Sequence, residues 1–148
     1  MIAGKYPTQT SPLLLDTHTL VWSMTDNPKL GSTAQEAIRL AYREKRARIS
    51  AITPWELALL ASKNRLNLGK DVLEWIREAL AVPSVTLVPL EPEIAVASTR
   101  LPFDMHPDPT DRILVATARH LGATLVTADQ ALLDFSVKGH FKTLDARV

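Results

Sequence analysis

A chain of 148 residues with 46% hydrophobic and 22% charged residues has the size and composition of one globular domain. That excludes a mainly disordered chain and leaves room for a core burying roughly 68–70% of the unfolded surface. There is no cysteine, which excludes disulfide frameworks, thiolate zinc sites, Fe–S clusters and cysteine nucleophiles, and the net charge of +1 is too small to argue by itself for nucleic acid.

Residues 1–12 read as an N-terminal tail without the apolar stretch of a signal peptide. No run approaches the roughly 20 apolar residues of a membrane span, so a soluble, cytoplasmic protein without a membrane partner is expected. Leu13-Leu14-Leu15 predicts a short buried strand ending at Asp16, followed by a helix over Thr17 to Met24 that Asp26-Asn27-Pro28 breaks. Ser32 to Lys45 predicts an amphipathic helix, Arg48 to Ala51 a strand, Thr53 to Asn64 a helix, and Asp71 to Ala81 another. Val85 to Val88 predicts the third strand and Glu91 to Arg100 a helix. A proline-bearing loop then leads to a strongly patterned helix over Asp108 to Leu121, closed by Gly122. Ala123 to Val126 predicts the fourth strand, Gln130 to Asp134 a last helix, and a weak strand lies near Phe141. Short apolar strands alternating with helices imply an α/β fold with a parallel sheet covered on both faces, one domain over 13–148.

Charge is unevenly distributed. Residues 39–48 hold five bases (Arg39, Arg43, Lys45, Arg46, Arg48) against Glu44, and residues 91–111 hold five acids (Glu91, Glu93, Asp104, Asp108, Asp111) against Arg100. Two solvated faces account for this. It also suits an anionic substrate handled through bound cations, with Arg39, Arg43 and Arg46, at i, i+4 and i+7, holding flanking phosphates.

Four acids stand at informative positions. Asp16 and Asp129 close strands, while Glu56 and Asp111 open helices. Each has a structural role available. Thr53-Pro54-Trp55-Glu56 and Asp108-Pro109-Thr110-Asp111 both read as capping boxes, and Asp16 and Asp129 can cap the helices they precede. Capping does not explain why all four fall at one edge. In an open parallel sheet the carboxyl ends of the strands form the ligand crevice. Two carboxylates about 4 Å apart repel by ~4 kcal/mol at an effective dielectric of 20. Hard divalent cations such as Mg²⁺ or Mn²⁺ relieve that repulsion, and cation-activated water is equipped for phosphodiester hydrolysis. His106 is the one histidine placed with the acids. Arg112 is a candidate for phosphate contact or for a salt bridge, and Trp22, Trp55 and Trp75 are expected in the core rather than stacked on bases.

The segments LLLDTHTLVW, ISAITPWELAL and DPTDRILVATARHLGATLVTAD, in that order, resemble the PIN domain, and more narrowly the VapC toxins of toxin–antitoxin pairs. The likeness spans roughly Leu13 to Phe135. It implies an α/β/α sandwich with a parallel sheet of about five strands, and a Mg²⁺- or Mn²⁺-dependent endoribonuclease. Carried over by position, the acidic quartet falls on Asp16, Glu56, Asp111 and Asp129, with Asp16 and Asp111 as direct metal ligands and the other two completing the set partly through water. Thr127 matches a hydroxyl that hydrogen-bonds an acid. Asp108 matches an extra acid, an outer ligand or, by preference, a helix cap. The resemblance further implies an RNA substrate, a cognate antitoxin and a homodimer. Two other readings are weighed against it: a catalytically silent PIN-like interaction module, and a haloacid-dehalogenase-like phosphatase. The phosphatase would use LLLDTHT as its D-x-D-x-T motif, but here His18 replaces the second Asp.

Overall fold

Parallel strands need crossover helices, and this chain supplies one or two between each successive pair. In the computed structural model, which describes residues 11–148, the elements run β1 (Leu13–Leu15), α1 (Thr17–Met24), α2 (Ser32–Arg43), β2 (Ala47–Ser50), α3 (Ile52–Ser62), α4 (Val72–Leu80), β3 (Val85–Val88), α5 (Pro92–Ser98), α6 (Pro109–Leu121), β4 (Thr124–Thr127), α7 (Gln130–Ser136) and β5 (Lys142–Asp145). The sheet order is β3-β2-β1-β4-β5, and every pairing is parallel. The connections move one way from β1 and then restart on its other side at β4. That reversal opens a crevice at the carboxyl ends of β1 and β4.

Period-two alternation sends β1 side chains to opposite faces. Leu13 and Leu15 enter the larger core with Leu20 and Val21 of α1, Ile38 of α2, Leu57 of α3, and Trp75 and Ile76 of α4. Leu14 enters the other core with Leu114 and Val115 of α6, Leu132 of α7, Met105 and Phe141. The three layers expected of an α/β/α sandwich are therefore present, with α1 to α4 on one face and α5 to α7 on the other.

The differences from the sequence reading sit at element ends. The second helix stops at Arg43 because Lys45 takes a left-handed backbone (φ 58°), and α3 stops at Ser62 before Asn64 (φ 55°). Gly122 does the same at the end of α6 (φ 62°), as expected. The capping box at Thr53 does not form. Instead α3 starts at Ile52, the Ser50 hydroxyl accepts the Ile52 N–H (3.1 Å), and the buried Thr53 hydroxyl has no partner among the described residues. Of the expected tail, residues 1–10 lie outside the described residues. The remaining two join the domain: the Pro12 carbonyl accepts the Thr124 N–H (3.0 Å), and the Ser11 carbonyl accepts from Arg46 (2.7 Å).

Candidate active site at the carboxyl edge of the sheet

β1 and β4 deliver their acids to the crevice together. The Asp16 N–H donates to the Val126 carbonyl (3.1 Å), locking the two strand ends. The Asp16 carboxylate then caps α1, accepting from the Thr19 N–H (2.9 Å) through Oδ1, and accepts the Thr127 hydroxyl through Oδ2. Thr127 Oγ1 in turn accepts the Asp129 N–H (3.0 Å). One buried hydroxyl thus ties the end of β1 to the start of α7, whose first turn Asp129 caps through Ala131 and Leu132. Asp16 is 8% exposed, and burial pushes its carboxyl above the ordinary carboxylate range against the lowering effect of Thr127 and Thr19.

Asp111 enters from α6. Asp108 caps that helix by accepting the Asp111 N–H (3.1 Å), which orients the first turn, and the Asp111 carboxylate meets His106 Nε2 at 2.7 Å. Its pKa is pushed up to about 6, first by burial and then by the charges of Asp108 and Asp129, with the His106 hydrogen bond acting the other way. That the charge of Asp129 acts on Asp111 sets the first turn of α6 on the same side of the molecule as the Asp16–Thr127–Asp129 network. Of the capping roles read from the sequence, those of Asp16, Asp108 and Asp129 are real.

The remaining candidates lie differently. Glu56 is half-buried on α3, a helix packed against both α1 and α6, and none of the described residues hydrogen-bonds or ion-pairs with it. Arg39, Arg43 and Arg46 do not border the acids. They stand at the end of α2 and the entry of β2, the opposite edge of the sheet, where Arg39 pairs with Glu36 and Arg46 with Glu44. Arg112 makes neither a phosphate-facing fork nor a salt bridge; it donates to the Ser98 (3.2 Å) and Met105 (2.9 Å) carbonyls and so pins the loop before α6. Trp75 is in the core as expected, but Trp55 is not: it is 56% exposed, beside Glu56. The sequence reading places His106 with the acids but not its contact with Asp111, because a partner five residues upstream in a proline-bearing loop has no periodic signature.

The donor set fits a hard divalent cation: it is all carboxylate oxygen, and two of its members are desolvated and raised in pKa. Among the described residues, no three acidic or histidine side chains already converge to hold an ion. Asp16, Asp108 and Asp129 are engaged in helix caps, and Asp16 and Asp111 in the Thr127 and His106 hydrogen bonds.

The PIN domain family model matches residues 13–138. The chain belongs to the PIN-domain family. This PIN domain is 34% identical over 120 residues to Ribonuclease VapC22 of Mycobacterium tuberculosis, an alignment covering 81% of this chain and 88% of the relative. Its fold is similar to that of two solved structures. One is VapBC2 from Rickettsia felis bound to a DNA fragment from their promoter (TM-score 0.64, 16% identity, 89% of this chain and 96% of that one). The other is DNA-bound VapBC from Salmonella typhimurium (TM-score 0.62, 17% identity, 92% and 98%). PIN membership sets aside the phosphatase reading of LLLDTHT.

Proposed function

We propose that this PIN domain is a Mg²⁺- or Mn²⁺-dependent endoribonuclease and the toxin of a VapBC-type pair. The observation that carries the reading is the network Asp16–Thr127–Asp129, faced by Asp111, at the reversal point of the sheet. The likeness to Ribonuclease VapC22 supports RNA as the substrate, and the VapBC complexes among structures of similar fold support an antitoxin partner. A homodimer and a cytoplasmic location belong to the same proposal. No helix among the described residues is long and apolar enough to cross a membrane.

Asp16 and Asp111 would hold the cation, with Glu56 and Asp129 completing the set and Asp108 and Thr127 behind them. When bound, Mg²⁺ or Mn²⁺ supplies charge neutralisation at the phosphodiester and activation of water at neutral pH. The chain supplies the rest. Thr127 and the Thr19 N–H fix the rotamer of Asp16, and burial keeps its carboxylate poorly solvated and ready to exchange water for a ligand. The cap by Asp108 sets the approach of Asp111. Hydrolysis adds one water per bond cut, leaving a phosphate monoester and a free hydroxyl. Phosphate contacts are not assigned to Arg39, Arg43 or Arg46, given their place at the far edge.

The silent interaction module has one observation in its favour, since two acids of the quartet, Asp16 and Asp129, already cap helices. Mapping RNA 5′ ends after expression without any antitoxin separates the readings. The nuclease predicts discrete new ends that vanish in Asp16→Asn and Asp111→Asn. An unchanged 5′-end profile with soluble wild-type protein would contradict it.

A further inference from the structure

The loop between α5 and α6 is built to hold one imidazole. Arg112 donates to the carbonyls of Ser98 and Met105, so the first turn of α6 clamps both ends of the loop that carries His106. Met105 is buried in the α6–α7 core, which anchors the residue next to it. The His106 ring packs on Phe135 of α7 (centroids 5.5 Å, planes at 52°), and Phe135 is itself tilted against Phe103 from the same loop. The ring is thus held by a tilted aromatic contact and by a neighbouring backbone that Arg112 pins, and its Nε2 stands 2.7 Å from Asp111 Oδ2.

We infer that His106 is a positioning residue for the metal site: its hydrogen bond to Asp111 Oδ2 fixes the carboxylate that would meet the divalent cation. The inference rests on the proposed function, since it assumes that Asp111 is a ligand. Carboxylate ligands are commonly hydrogen-bonded from behind, and losing such a partner costs about 10–100-fold in metal affinity or activity. His106 has a second consequence. Phe135 belongs to α7, whose N-terminus carries Asp129, so the ring couples the helix bearing Asp111 to the helix bearing Asp129.

Calorimetric titration of the full chain with Mn²⁺ tests this, alongside thermal melts in chelator to establish folding. H106A is expected to weaken Mn²⁺ binding about tenfold or more. H106Q, whose amide can donate from the position of Nε2, is expected to stay within a few-fold of wild type. H106N is polar but too short to reach, and is expected to match H106A; it keeps the comparison available if the alanine variant does not fold. Asp111→Asn serves as the reference for loss of the site. Wild-type affinity in H106A or H106N overturns the inference, as does H106Q binding as weakly as they do, because a merely structural histidine would not distinguish reach. Should Asp111→Asn bind Mn²⁺ like wild type, the metal-site assignment itself falls, a result distinguishable from failure of His106 alone.

Discussion

Asp111 and Asp16 are carboxylates placed where folding disfavours their charge, and each carries a measurable cost in the metal-free protein. The folded-state pKa of Asp111 is raised from 3.8 to about 6, so the folded protein binds its proton more tightly than the unfolded chain does. Stability is therefore greatest below the unfolded value and declines as pH rises through the interval from about 4 to 6. Solvent screening of this partly exposed carboxylate holds the total from the group to about 1–2 kcal/mol. Denaturant melts in chelator across that interval should show the decline in wild type and a flatter profile in Asp111→Asn. At pH 7.5 the same variant should unfold at higher temperature than wild type despite losing cleavage. A lower melting temperature and an unchanged pH profile would show that burial does not penalise Asp111. Thr127→Val is the complementary case. It is nearly isosteric but removes the hydroxyl that satisfies both Asp16 and the Asp129 N–H in a fully buried position. A loss of about 1–3 kcal/mol is expected, together with weaker Mn²⁺ binding. Denaturant titration and calorimetry measure the two effects.

At the scale of elements, what the sequence revealed and what it hid follow from locality. The apolar run at Leu13–Leu15, the helical period of α6 and the left-handed Gly122 are local signals, and each element formed where its pattern lies. The start of α3 departs from the capping pattern of Thr53-Pro54 because tertiary packing buries Thr53 and leaves the Ser50 hydroxyl to satisfy the first turn. Asp16, Asp111 and Asp129 were legible as a set because strand ends and helix starts share an edge in this topology. The Thr127 bridge needed three-dimensional register, although the resemblance had marked it, and the His106 contact depended on a loop path that no periodicity encodes. The start of α2 was equally hidden. It has no side-chain cap, and instead the Gly31 N–H donates to the Ala146 carbonyl (2.8 Å) and the Ala34 N–H to the Val148 oxygen (2.9 Å). Val148 lies so close that a Cβ at Gly31 would stand 2.1 Å from its carbonyl carbon. Gly31→Ala is thus expected to displace residues 146–148 and cost about 1–3 kcal/mol through strain and lost capping. Cleavage should fall as well, because the Ala146 N–H donates to the Thr127 carbonyl (2.9 Å), which ties residues 146–148 to the residue that holds Asp16. A wild-type melting temperature would show that the close approach relaxes freely.

On the scale of the whole molecule, the chain behaves as a scaffold that brings residues 16, 111 and 129 to one crevice through the reversal of strand order between β1 and β4. The basic flank at Arg39–Arg48 occupies the other end of the sheet, and the proposed function therefore assigns the meeting of substrate charge to a cation in the crevice rather than to those arginines. Crystals grown with Mn²⁺ and measured for anomalous scattering test this most directly. A peak about 2 Å from carboxylate oxygens of both Asp16 and Asp111 is the predicted result. Saturating Mn²⁺ with no peak between those two side chains, or with its only peak elsewhere, would contradict it.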